Sequence, residues 1–201
     1  MKLISTSTKS SADFGRSIRA AVHGLWRGEI EFMDFIDTVI TAVFRGYEQA
    51  WREGAAAVGI TPAERSLEER IVLNQAIQDS LNNVQAFAEF VGGHMQANGY
   101  KLGDLDYRTN LWVNSYNRVV NLAMSTSRLD QKLEWMLGRT KVHCTDCGAY
   151  AGRVHRASVW RDVGAIPQSR SLECSGYNCQ CRLVPTTRAA SGGRPPRPRG
   201  R

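Results

Sequence analysis

The stretches Cys144-Thr-Asp-Cys147 and Cys174-Ser-Gly-Tyr-Asn-Cys179-Gln-Cys181 contain all five cysteines of this 201-residue chain. A CxxC turn brings two thiolates to one side of a tight loop, and a second cysteine cluster can complete a tetrahedron around Zn²⁺. The pattern therefore predicts one structural zinc ion. We expect Cys144, Cys147 and Cys174 to bind it together with either Cys179 or Cys181, and the spacing leaves that choice open.

His143 and His155 are reserve ligands for this site, and five thiols without any metal are the simpler alternative. Catalytic uses of the cysteines fit less well. A CxxC redox pair normally opens a helix within a βαβ unit, and a zinc nucleobase deaminase needs an HxE motif before its PCxxC; neither pattern is present. Because four thiolates close a zinc site, we expect that the protein is not an enzyme, and a nucleophilic pair of Cys144 with His155 is the weaker alternative.

The segment 139–186 around the cysteines is rich in Cys, Gly and Arg and short of large aliphatic residues. About fifty such residues cannot bury a sufficient core on their own, so the metal is expected to stabilise this cysteine-rich zinc module. Residues 187–201 (TRAASGGRPPRPRGR) contain no acidic residue. Their Arg, Pro and Gly composition predicts a disordered tail.

Residues 12–138 show helical periodicity almost throughout and are expected to form a helical domain after a flexible N-terminus at 1–11. A short helix is predicted near 12–27, and a long one is predicted around 32–51. One face of that long helix reads Phe32, Phe35, Ile36, Val39, Val43, Tyr47, Ala50 and Trp51.

Two further long helices are predicted behind the break at 59–62. Thr61, Pro62 and Glu64 resemble a capped start, and the second helix is expected to run to Asn98-Gly99. Its face reads Leu67, Ile71, Asn74, Ile77, Leu81, Val84, Ala88, Val91 and Met95. The last helix is expected to run from about Asp104 to Gly138. Its face reads Leu111, Ser115, Val119, Leu122, Thr126, Leu129, Leu133 and Met136.

The predicted fold class is therefore mainly α. We expect a long-helix bundle or an extended helical region, followed by a small irregular zinc-knuckle module and the basic tail.

Positive charge is concentrated at the C-terminal end. Residues 139–201 hold twelve Lys and Arg against three Asp and Glu, although the whole chain has a net charge of only +7. Such a basic segment predicts contact with nucleic acid or with an acidic protein surface, and a solubilising tail is the simpler alternative. The candidate nucleic-acid contacts are Arg182, Arg188, Arg194, Arg197, Arg199 and Arg201.

Neither a membrane span nor a signal peptide is predicted. The most apolar stretch, 30–44, is interrupted by acidic residues, and the first residues, MKLISTSTKS, lack the apolar stretch of a signal peptide. We therefore expect a soluble protein made in a reducing cytoplasm, where cysteines serve as metal ligands more often than as disulfides.

A family resemblance extends over about fifty residues. Trp135, then CTDCGAYAGRVH (144–155), Gly164-Ala-Ile-Pro167 and LECSGYNCQCRLVP (172–185) resemble the C-terminal signature of phage minor head proteins, the Mu F-like head morphogenesis proteins. Cys179-Gln-Cys181-Arg182 and Pro185 match the closing element of that pattern. The sequence departs from it by offering Cys174 where many members have His-Pro.

The resemblance implies a multi-copy structural protein of the virion. Its helical part would engage the portal or the major capsid protein at the head interior or portal vertex, after assembly in the host cytoplasm, and its basic end would contact packaged DNA. The main alternative is a zinc-ribbon regulator that binds nucleic acid.

Overall fold

The computed structural model describes residues 4–200, and the side chains from residue 10 onward. The chain is mainly helical, with a small sheet near its C-terminal end. Five helices form the first part: α1 (Ile4–Arg27), α2 (Phe32–Ala57), α3 (Leu67–Leu81), α4 (Val84–Gly93) and α5 (Asp106–Ser127). Helix α1 thus begins inside the segment 1–11 that the sequence predicts to be flexible. Among the described residues, none of the helices is both long and apolar enough to cross a membrane.

Helix α2 lies at the centre of the helical part and packs against the four other helices. Its apolar face follows the predicted spacing of three and four residues. At Gly54 this helix approaches α5 so closely that a Cβ atom would collide with the carbonyl oxygen of Val120. The buried residues of α2 are Phe35, Val39, Val43, Tyr47, Ala50, Trp51, Gly54 and Ala55.

The single long helix predicted over 62–98 is instead two helices with a break at residues 82–83. Thr61 and Glu64 do form the predicted reciprocal cap, but it starts only the 3-10 turn Pro62–Glu64. A second capping box, from Ser66 to Glu69, starts α3. The extended backbone of Arg65 and Ser66 separates the two caps, because extended residues cannot continue a helix.

The helix predicted to continue to Gly138 ends at Ser127, and residues 132–136 form a strand. Leu133 and Trp135 are fully buried, whereas their neighbours Lys132, Glu134 and Met136 are not. This alternation places two side chains on one face of a sheet. It explains why the helical interpretation of Leu133, Trp135 and Met136 was wrong.

The sheet contains the strands β1 (Lys132–Met136), β2 (Val154–Arg156) and β3 (Arg182–Pro185), in the order β2-β1-β3 with antiparallel pairing. Leu133 lies opposite His155, and Trp135 lies opposite Leu183. Two short helices complete this region, α6 (Thr145–Tyr150) and α7 (Ala157–Asp162). The cysteine-rich region is therefore built around a central strand that precedes residue 139.

A second hydrophobic core lies beneath the sheet. The rings of Trp135, Tyr150 and Trp160 pack on one another with centroids 4.8–5.7 Å apart. Val58 and Met124 enter the same core from the ends of α2 and α5. The helical part and the cysteine-rich region therefore share packed side chains.

Residues 187–200 contain no helix or strand, yet they lie against the cysteine-rich region instead of extending as the disordered tail that the sequence predicts. Ser191 exchanges two hydrogen bonds with the backbone of Val154. The hydroxyl of Tyr150 donates to the carbonyl of Pro196 over 3.0 Å, and Pro195 is buried. The composition of this segment does not favour a helix or a strand. Hydrogen bonds of its backbone nevertheless hold it against the cysteine-rich region.

Candidate metal centre

The first cysteine pair lies at the start of α6. Cys144 is the N-cap residue, and its Sγ accepts a hydrogen bond from the N–H of Cys147 over 3.4 Å. Cys147 follows in the first turn of the helix and is almost completely buried. Burial raises the pKa of Cys144, and the hydrogen bond from the Cys147 N–H offsets this only in part. The turn places both sulfurs on one side of the start of α6.

The second cluster lies in an irregular loop over residues 174–181. Ser175, Gly176 and Asn178 all have left-handed backbone conformations, with φ angles of 49°, 81° and 48°. Gly176 is pressed against Gln168, where a Cβ atom would lie 2.5 Å from the carbonyl oxygen. These left-handed residues turn the backbone tightly within the loop. The turn brings the sulfurs of the loop toward α6.

The structure brings all five cysteines together. Their Sγ atoms form two groups, each with all of its sulfurs within 4.8 Å of one another. Cys147 belongs to both groups, and its Sγ lies 3.9 Å from that of Cys179. The first group is Cys144, Cys147 and Cys174, and the second is Cys147, Cys179 and Cys181. All five are free thiols, so the cluster could hold a metal ion.

The two histidines lie outside this cluster. Within the described part of the chain, the groups close enough to share a metal consist of cysteines alone. His143 Nδ1 is within hydrogen-bond distance of the Thr140 hydroxyl. His155 is buried edge-on against Trp160, with its Nε2 atom unpaired.

The thiols of the cluster have opposed proton affinities. Hydrogen bonds to Cys174, Cys179 and Cys181, together with burial, raise the pKa of Cys147. Hydrogen bonds from Cys147 and Cys179, supported by the N–H of Gly138, hold the pKa of Cys181 far below its usual value. Hydrogen bonds from Cys147 and Cys174 also lower the pKa of Cys179. A buried cluster that favours thiolates at Cys179 and Cys181 is chemically suited to a thiophilic cation, which replaces the shared protons.

The buried indole N–H of Trp135 is a second sign that a charged sulfur belongs here. It has no hydrogen-bond partner at normal distance in the described part of the chain, yet its presence lowers the pKa of Cys181. Donors around a metal site commonly point at the ligand atoms and stabilise their negative charge. The donor set and its surroundings therefore fit a metal held by thiolates.

Two acidic residues connect the two cysteine stretches. The carboxylate of Glu173 accepts the N–H of Thr145 over 2.7 Å, and the N–H of Glu173 donates to Asp146 over 2.8 Å. Asp146 is only 3% exposed and also accepts the N–H of Arg199 over 3.0 Å. These bonds fasten the CxxC turn, the second cluster and the C-terminal residues together.

Sequence reasoning missed these two acids, although a signal was present. The basic stretch 139–201 has three acidic residues, and two of them are Asp146 and Glu173, each beside a cysteine. An isolated acid in a basic segment often has a specific structural partner. Hydrogen bonding to Thr145 lowers the pKa of Glu173, as expected for such a partner.

The arginines predicted to contact nucleic acid do not share one structural setting. Arg182, Arg194, Arg197 and Arg199 are exposed. Arg188 is exposed too, but it forms an ion pair with Glu134 on β1. Arg201 lies outside the described residues. Arg199 interacts electrostatically with Glu173, so the four exposed guanidinium groups also differ in their surroundings.

Comparisons of this chain with protein-family models, with curated proteins and with solved structures find no significant match to any of them.

Proposed function

We propose that the cysteine cluster is a closed structural zinc centre and that the protein is a minor head or head morphogenesis protein of a phage or prophage. The observation that carries the first part is the convergence of five sulfurs from two distant stretches around Cys147. Thiolate sulfur is the preferred ligand of structural zinc, and four such ligands leave no position for a substrate. The centre would therefore stabilise the fold and take no part in catalysis.

The ligands of this centre are Cys144, Cys147 and Cys174 with one of Cys179 and Cys181. When bound, the metal would supply the cross-link that the short strands of this region need. The chain's own residues do the rest. Asp146 and Glu173 align the two stretches, and Gln168 donates to the carbonyl oxygens of Cys179 and Cys181.

The head-protein assignment is supported by the resemblance of residues 135–185 to the Mu F-like signature. A long helical part joined to a small thiolate-bound region is compatible with a virion component. In this proposal the helices dock on the portal or the capsid interior, and the exposed arginines of the C-terminal end lie against packaged DNA. Contacts of arginine with phosphate need no base recognition and weaken with salt.

A zinc-ribbon regulator is the second candidate, because Arg182, Arg194, Arg197 and Arg199 are exposed. It predicts binding to free nucleic acid with sequence preference. The head-protein proposal predicts only salt-sensitive binding without preference.

Two measurements test the proposal. Metal analysis of the full-length protein, purified without chelator, should find one zinc ion per chain, and Cys147→Ser should abolish it. Protein without zinc would contradict the metal centre. Affinity capture from infected or induced cells should recover a portal or major capsid protein. Recovery of polymerase subunits, or of nucleic acid alone, would instead support the regulator.

A further inference from the structure

A cavity of about 470 Å³ lies between the helical part and the second cysteine cluster. Its walls come from α5, from the region around the break between α3 and α4, and from residues 168–176. Its volume falls in the range of roughly 300–1,000 Å³ that is typical of small-molecule sites. None of the five cysteines and none of the described residues of the basic tail lines this cavity, and it shares only Gln168, Ser175 and Gly176 with the surroundings of the proposed zinc centre.

Among the described residues, three arginines and no acidic residue line the cavity: Arg108, Arg118 and Arg170. In the described part of the chain, none of these three side chains forms an ion pair or a hydrogen bond. Arg108 is held in place by the ring of Phe90, which lies 4.6 Å from its guanidinium carbon. Uncompensated guanidinium groups in a concave site concentrate positive potential, and their planar donors match the oxygens of phosphate.

Aromatic rings stand beside these cations. Trp112 lines the cavity and stacks on Phe87 with ring centroids 5.1 Å apart. The ring of Tyr107 lies against that of Tyr177, with ring centroids 4.5 Å apart. Tyr177 is in the loop 174–181 that carries the second cysteine cluster. These two tyrosines are 52% and 39% exposed. Exposed rings beside arginines are the arrangement on which unpaired bases stack.

We propose that this cavity binds a nucleoside phosphate, either as a free nucleotide or as one unit of a single-stranded nucleic acid. The arginines bind the phosphate, and the base stacks on the exposed ring of Tyr107. Paired bases in a duplex are stacked on their neighbours and cannot enter a cavity of this size, so the site selects single strands. Asn114 joins the two walls by donating to the carbonyl of Gly176 over 3.3 Å.

The test uses the full-length protein and three probes: adenosine monophosphate, a single-stranded 12-mer of mixed sequence, and inorganic phosphate. Binding is followed by calorimetry and by quenching of tryptophan fluorescence. We expect the double variant Arg118→Gln/Arg170→Gln to weaken binding of the nucleotide or the single strand by at least tenfold, since bonds to charged groups contribute this much each. Tyr107→Ala should weaken the same probes and leave phosphate unchanged.

The matched control is Arg45→Gln/Arg52→Gln, which removes the same charge from exposed positions of α2 that do not line the cavity and should leave binding of every probe intact. Binding of the mononucleotide identifies a free nucleotide as a sufficient ligand, and binding of the 12-mer alone identifies the strand as the source. Either result supports the site only when Arg118→Gln/Arg170→Gln weakens that binding, because the C-terminal arginines can bind a strand independently.

Three results would overturn the proposal. They are no binding by folded protein, inorganic phosphate binding as tightly as the nucleotide, and binding lost only in the control variant. Zinc content and recovery of head proteins are separate measurements, so failure here is distinguishable from failure of the proposed function.

Discussion

The side-chain amide of Asn121 donates a hydrogen bond to Oε1 of Gln168 over 3.0 Å and joins α5 to the loop that leads into the second cysteine cluster. Both residues are buried. The Oδ1 atom of Asn121 also accepts the N–H of Leu183 on β3 over 2.7 Å. One amide pair thus fixes the position of the sheet and the cysteine loop on the helical part.

Asn121→Ala should destabilise the protein by roughly 2–3 kcal/mol, because it leaves the Leu183 N–H and the Gln168 amide buried without this partner. The melting temperature should fall accordingly, by several degrees. Asn117→Ala is the control, because Asn117 is half-buried on the same helix. Only its backbone carbonyl, which the substitution keeps, accepts a hydrogen bond from the Asn121 amide. Equal melting temperatures for both variants would contradict the role of the pair.

Cys179→Ser and Cys181→Ser should differ in zinc content, because four ligands suffice and Cys147, Cys144 and Cys174 supply three. One of these variants should keep the zinc of the native protein, and the other should lose most of it. The measurement is zinc per chain after dialysis against a weak chelator. Retention of full zinc by both variants would exclude both residues as required ligands.

Gly176→Ala should destabilise the cysteine loop by about 1–3 kcal/mol, since the left-handed backbone disfavours a side chain and the new Cβ would meet the Gln168 carbonyl. Gly148→Ala is the matched control inside α6, where a Cβ would meet no atom within 4 Å. It should leave stability equal or slightly higher. Limited proteolysis of the C-terminal region reports the difference, and equal cleavage of both variants would count against the strained loop.

Acid should destabilise the protein through His155. Burial, with a contribution from Arg153, lowers the pKa of His155 below its ordinary value of 6.5. As pH falls below about 6.5, His155 becomes protonated in the unfolded chain but stays neutral in the folded protein. The free energy of unfolding therefore decreases from that pH downward. His155→Leu should remove this part of the loss. The check is the difference in melting temperature between pH 7.5 and pH 5.5, which should be smaller in the variant; an unchanged difference would refute it.

Glu69→Gln should cost about 2 kcal/mol, because a carboxylate there joins three helices. Burial opposes its charge, but hydrogen bonds from Ser127 on α5, the N–H of Ser66 and the indole of Trp51 on α2 outweigh burial and lower the pKa of Glu69. The native protein should therefore lose stability as pH falls below about 4.5, and the variant should lose less over that range. Chemical denaturation gives both values. Glu89→Gln, at an exposed position of α4, is the control.

Local periodicity predicted the buried residues well in helices that bury a single continuous face. The buried positions Phe35, Val39, Val43 and Tyr47 of α2 all belong to the predicted face. In α3 the same reasoning failed for Leu67 and Ile71, which are exposed. Nothing in the spacing of that short segment distinguishes the buried stripe from its neighbour.

The strand at 132–136 could not be predicted from its own residues. Leu129, Leu133 and Met136 also fit a helical repeat, so both periods were available. The strand is decided by its pairing with Arg182–Pro185, which follows much later in the chain. Non-local pairing of this kind leaves no trace in a local pattern.

The sequence predicted that the two cysteine stretches would meet, because cysteines at metal-ligand spacing in two separate stretches indicate a shared ion. Zinc as the bound metal remains a prediction. The attachment of residues 187–200 was not foreseen, because composition describes the preference of a free chain and not the backbone bonds available from Val154 and Asp146. The cavity with three arginines was also missed, since Arg108 and Arg118 are far from Arg170 in sequence.

The order of the strands has a consequence for how the protein is made. The central strand β1 leaves the ribosome before both of its partners, and β3 follows about 50 residues later. At about 5–20 residues per second, β1 is complete several seconds before the strand that pairs with its second edge. A nascent chain stalled before Arg182 would therefore leave one edge of β1 with unpaired backbone groups, and an unpaired strand edge favours aggregation and chaperone binding.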